Sequence, residues 1–153
     1  TPKPSSAASD VYKRQCHGRG AHPMRQLLWL GLGSGLGGCL RYLLDLVALN
    51  VGLAAFPVST FLINVSGSLL IGYLAGVWAS GGALSPQSCR WHFWITGFCG
   101  GYTTFSTFSW QVLDLVRAGE GTLAGAYAAG SIAFGILAVW FGLSLAMRGR
   151  NTS

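Results

Sequence analysis

Four long apolar runs dominate the chain, at residues 27–49, 57–79, 91–116 and 122–147, and the third is interrupted by polar text. Each is long enough to cross a bilayer, which takes about 20 residues. Inside the third run stands Gly97-Phe98-Cys99-Gly100-Gly101-Tyr102-Thr103-Thr104-Phe105-Ser106-Thr107-Phe108-Ser109, with three glycines, three threonines and two serines. Paired glycine beside paired threonine predicts a break in the helix and backbone carbonyls freed at membrane depth. Such backbone survives in a bilayer only where protein buries it or it lines a wet cavity. Beyond the break, Phe105 and Phe108 stand three apart and share one helical face. A polar, broken span with a two-ring face points to permeation or ion binding rather than to a plain anchor.

Charge makes a soluble fold untenable. Only 9% of the 153 residues are charged and 51% are hydrophobic, against roughly 25% charged in soluble domains. The formal net charge is +6. Much of it comes from Lys3, Lys13, Arg14 and Arg19 before the first run, and the rest is spread over span ends. No basic stripe with interleaved aromatics exists, so no nucleic-acid partner is expected. Cys16, Cys39, Cys89 and Cys99 form no C-x-x-C pair, and Cys39 and Cys99 read as small packing residues. Cys16, His17 and His22 match no zinc spacing. Residues 1–23 are polar and aperiodic and are expected to be a disordered tail. Ser6 to Gln15 resembles translated adapter sequence, and Met24 is the expected native start of a channel domain over residues 24–150.

The spans carry small and polar residues at helical spacing. Gly31/Gly35 and Gly33/Gly37 are small-x-x-x-small pairs suited to close helix packing. Pro57 opens the second run, where a first-turn proline costs nothing. Thr60, Asn64 and Ser68 follow four apart as one polar stripe, and Tyr127, Ser131 and Gly135 repeat that spacing in the fourth run. Arg117 to Gly121 reads as a tight turn. The expected fold is an all-α membrane protein of four transmembrane helices, the third broken, with both termini on one side. Arg25, Arg90, Arg148 and Arg150 lie on that side, which favours cytoplasmic termini.

Enzymatic chemistry finds no footing. Asp45, Asp114 and Glu120 sit near span ends and form no catalytic pair, and no Walker sequence occurs. His92 lies at a membrane boundary, as an interfacial histidine would. The spans hold neutral hydrogen-bonding groups instead: Asn64, Ser68, Thr103, Thr104, Ser106, Thr107, Ser109, Tyr127 and Ser131. Donor hydrogens replace the water shell of an anion, which a buried carboxylate would repel. Aromatic ring edges are electropositive as well. Amide, hydroxyls and ring edges together suit a small, hard anion. Two other classes stay open on composition alone. A small multidrug-type cation/proton antiporter would need a mid-membrane carboxylate, and a non-transporting structural subunit would leave the polar stripes without a use.

The segments Gly37-Gly38-Cys39-Leu40-Arg41-Tyr42, Ser59-Thr60-Phe61-Leu62-Ile63-Asn64-Val65-Ser66-Gly67-Ser68 and Gly97 to Ser109 resemble the signatures of the CrcB/Fluc fluoride channels, across residues 25–148. The resemblance implies a fluoride-selective channel in the inner (plasma) membrane of a prokaryotic cell, built as an antiparallel, dual-topology homodimer. It implies two pores near the subunit interface and a structural sodium ion between the broken third helices. By position, Gly100 and Thr103 would offer carbonyls to sodium, and Phe105 and Phe108 would line the pores. Asn64 would donate to fluoride, Thr60, Tyr127 and Ser131 would belong to the polar route, and Arg41 would sit at a vestibule. Two departures stand out: Gln111 replaces an expected glutamate, and Gly135 an expected hydroxyl. The implied physiology is passive exit of fluoride trapped in the cell.

Overall fold

A computed structural model describes residues 23–52, 57–79 and 88–149. The expected tail, apart from Pro23, lies outside the described residues, as do Cys16, His17, His22 and Arg150. Helix α1 spans Pro23–Asn50 and α2 spans Val58–Ala79. The third run is a series of pieces: α3 (Cys89–Trp91), a π-helix (His92–Cys99), α4 (Gly100–Tyr102) and α5 (Phe105–Arg117). Helix α6 spans Gly121–Arg148. The described residues are all-helical, as expected.

Element ends follow local chemistry. Pro23 stands at the first position of α1, where no backbone donor is needed. The Ser88 hydroxyl accepts from Trp91 N–H at 3.3 Å and starts α3. After α5 the chain reverses through Gly119 at φ 83°, a left-handed conformation that favours glycine. Glu120 N–H closes that turn on Leu115 O at 2.9 Å.

Two helix pairs make the bundle. Helix α2 packs along α6, and α1 packs along the π-helix and α4. Both contacts bring backbone against backbone. A Cβ on Gly33 would meet the Phe93 carbonyl oxygen, and one on Gly37 the Phe98 carbonyl. In the other pair, a Cβ on Gly72 would meet the Val139 carbonyl. Gly31 and Gly35 face open space instead, so only the Gly33/Gly37 pair packs within the protomer. Cys99 is buried as expected, whereas Cys39 is exposed on α1.

Helices α1, α2 and α6 are each long and apolar enough to cross a membrane. Large apolar side chains stand exposed around them, among them Leu32, Leu36, Leu43, Ile132 and Ile136. A helix that is apolar on its outer face belongs in lipid. The chain is a multi-pass membrane protein.

Candidate functional site

The break falls at Thr103 and Thr104, whose backbones are extended at φ −80°, ψ 159° and φ −147°, ψ 120°. A distant amide holds it open. Thr104 N–H donates to Asn64 Oδ1 at 2.9 Å, and Asn64 Nδ2 donates back to the Thr104 carbonyl at 3.1 Å. The Thr104 hydroxyl then caps α5 by accepting from Thr107 N–H at 3.2 Å. In an unbroken helix, Thr104 N–H would bond to the Gly100 carbonyl and Thr107 N–H to the Thr103 carbonyl. Both donors are diverted, so both carbonyls lose their regular helical partner. They are the oxygens a hard cation takes. Among the described residues no group of three or more His, Cys, Asp or Glu stands together, so a cation here would rest on neutral oxygens.

The break opens into a groove of about 550 Å³ between α2 and the interrupted span. Asn64 and Ser68 line one wall, and Cys99, Gly100, Thr103 and Phe105 the other. Asn64 uses one of its two amide N–H bonds on Thr104 and keeps a second donor for an anion. Gly100 is exposed and Phe105 is 80% exposed.

A second polar cluster lies along α5. The Phe105 and Phe108 rings are 5.7 Å apart at 40°, and Phe108 reaches Tyr127 at 5.3 Å. Phe108 is buried while Phe105 is not. One turn further, Gln111 Nε2 donates to Thr60 Oγ1 at 2.9 Å, and Tyr127 Oη–H donates to Gln111 Oε1 at 2.9 Å. Thr60 is 2% exposed. The buried Ser131 hydroxyl sits beside Tyr127. Ser68 Oγ lies 3.6 Å from where a Gly135 Cβ would stand, so the hydroxyl facing that gap comes from α2.

Among the expected residues, Asn64, Gly100, Thr103 and Phe105 therefore share one groove, and Phe108 joins it to the cluster of Thr60, Tyr127 and Ser131. Arg41 does not line the groove; its Nε is buried on α1. Gln111, which the sequence offers only as a missing acid, ties α5 to both α2 and α6 through its amide. Its place three after Phe108, hence on the same face, was the available signal. Gln111→Leu is expected to remove one hydrogen bond from each of two buried residues, Thr60 and Tyr127, and to cost about 1–3 kcal/mol. Thermal unfolding in detergent reads it, and an unchanged midpoint would contradict the assignment.

Comparison with known proteins gives one consistent result. The family described as "CrcB-like protein, Camphor Resistance (CrcB)" matches residues 28–143. A protein of Flavobacterium psychrophilum named "Fluoride-specific ion channel FluC" is 41% identical over 123 residues, covering 80% of this chain and 98% of its own. A protein of the same name from Paramagnetospirillum magneticum is 42% identical over 113 residues, covering 74% and 88%. Another, from a Methylobacterium species, is 47% identical over 116 residues, covering 76% and 91%.

Proposed function

The chain belongs to the CrcB-like family, and on that premise we propose that it is a fluoride-selective channel through which cytoplasmic fluoride leaves the cell passively. The observation that supports it best is the Asn64–Thr104 clamp, which holds open a groove offering amide, hydroxyl and ring-edge contacts. Among the described residues no carboxylate lines that groove to repel an anion. An ion that trades its water for such neutral groups needs no covalent chemistry, so the chain is a channel and not an enzyme.

The protein works as a homodimer of antiparallel copies. Exposed Gly100 and the 80% exposed Phe105 stand at a break that lipid cannot solvate, and a second copy of the same surface would cover both. Sodium, when bound between the copies, supplies positive charge beside the anion route; the Gly100 and Thr103 carbonyls would hold it. Each pore takes Phe105 and Phe108 as its ring contacts and Asn64 as its amide donor. Thr60, Tyr127 and Ser131 continue the route, with Arg41 drawing anions toward its mouth. The site of action is the plasma membrane of a prokaryotic cell.

An inside-negative potential drives the anion outward by about 2.3 kcal/mol per 100 mV. In reconstituted vesicles at pH 8, fluoride is expected to leave under an inside-negative potential and to enter when its sign is reversed. Flux that ignored the potential and followed a proton gradient would favour an antiporter and overturn the reading.

A further inference from the structure

A second cavity, of about 530 Å³, lies at the opposite end of the π-helix from the break. Helix α1 contributes Arg25 and Trp29, α3 contributes Cys89 and Arg90, and the π-helix contributes Phe93 and Trp94. It shares no lining residue with the groove at Asn64. Its rings form a connected wall: Trp29 meets Phe93 edge-on at 5.7 Å, and Phe93 meets Trp94 at 5.0 Å. Trp29 and Trp94 remain 41% and 42% exposed, and both arginines are exposed.

The surrounding charge is one-sided. Successive spans run in opposite directions, so this end also receives Arg148, the last residue of α6. All three described acids, Asp45, Asp114 and Glu120, stand near the other ends of their helices. No carboxylate among the described residues is placed to neutralise Arg25 or Arg90. Two guanidinium groups at a membrane boundary, above an aromatic wall that continues toward the apolar interior, match a phosphate with a hydrocarbon chain attached. Guanidinium suits phosphate because its planar fork donates two parallel hydrogen bonds. Tryptophan suits the headgroup level because its ring is apolar with one polar edge. Basic pockets between spans recognise anionic headgroups on this logic.

We propose that this corner is a binding site for an anionic phospholipid, with the phosphate between Arg25 and Arg90 and an acyl chain along Trp29, Phe93 and Trp94. The proposal does not depend on which ion the groove conducts. A soluble phosphate would use the arginines but leave the aromatic wall uncovered, so the lipid is the better-matched occupant.

The test uses the full chain, purified in detergent and stripped of lipid. Phosphatidylglycerol, phosphatidylcholine with the same acyl chains, and glycerol phosphate are titrated separately, with bound ligand counted by native mass spectrometry. Phosphatidylglycerol is expected to be retained at least fivefold over phosphatidylcholine, with glycerol phosphate far weaker. Arg25→Gln with Arg90→Gln is expected to erase the preference, and Arg148→Gln, outside the cavity, to keep it. Should the double variant fail to fold by circular dichroism, Arg90→Gln alone and wild-type protein at high salt are each expected to lower the preference severalfold. Equal retention of the two lipids, a preference that survives loss of both arginines, or glycerol phosphate binding as tightly as the lipid would each overturn the proposal. Because binding is counted without any flux measurement, failure here leaves the channel reading intact, and failure of fluoride flux leaves this site intact.

Discussion

Asn64→Ala is expected to lower fluoride flux at least about a hundredfold, equivalent to about 2.7 kcal/mol on the barrier. The alanine removes the acceptor of Thr104 N–H and the donor to the Thr104 carbonyl together. Each group left without a partner away from water costs about 1–3 kcal/mol. The cheapest relief is for Thr104 N–H to swing back to the Gly100 carbonyl and close the helix. That rearrangement fills the break and withdraws a carbonyl from the proposed cation site, besides deleting the amide donor. Asn64→Asp separates the two roles. Its carboxylate still accepts from Thr104 N–H, but its second oxygen faces the Thr104 carbonyl oxygen and adds negative charge to the route. It too is expected to suppress flux, with the proposed dimer intact by gel filtration. Fluoride efflux from vesicles, followed with an ion electrode, measures both. Flux within twofold of wild type in either variant would show that the clamp does not govern conduction.

The two phenylalanines are expected to give equal losses of flux and unequal losses of stability. Phe105 is 80% exposed in the protomer, so Phe105→Ile should cost the protomer's own packing no more than about 0.5 kcal/mol, and any larger loss in detergent-solubilised protein would report its cover by the second copy. Phe108 is buried between Phe105 and Tyr127, and Phe108→Ile should cost about 1–3 kcal/mol through lost ring contact and imperfect filling. Each substitution removes an electropositive ring edge and is expected to cut flux tenfold or more. Phe134→Ile supplies the control, since Phe134 is 55% exposed on α6 and packs edge-on against Phe61 away from the groove. A comparable drop in that variant would mean that the effect is general to membrane-facing rings. Undiminished efflux in both Phe105→Ile and Phe108→Ile would remove the rings from the route.

Much of the architecture was legible because lipid allows few solutions. Long apolar runs become spans, and the polar stretch inside one of them had to be a break. Its position was not legible. Paired glycine and paired threonine were equal candidates, yet Gly100 to Tyr102 stays helical and the extension falls on Thr103 and Thr104. The reason is a partner 40 residues away: Asn64 offers Thr104 both an acceptor and a donor, which no local pattern reports. The π-helix over His92–Cys99 was missed on similar grounds. Its course is set against α1, where Gly33 and Gly37 let the Phe93 and Phe98 carbonyls approach. Gly31/Gly35 and Gly33/Gly37 have identical spacing in the chain, and only packing shows which pair is used. Gln111 was the opposite case. Its spacing from Phe108 is visible in the chain, but the two hydrogen bonds its amide makes depend on Thr60 and Tyr127, which lie 51 and 16 residues away.

The central claim is that an amide-clamped gap in one span lets a bare fluoride ion pass while larger halides are held back. Wild-type protein in potassium-loaded vesicles, given valinomycin and monitored in parallel for fluoride and chloride, tests it most directly. Rapid loss of fluoride with chloride retained as in protein-free vesicles is the predicted result. Vesicles that keep their fluoride, or that release both anions together, would contradict it.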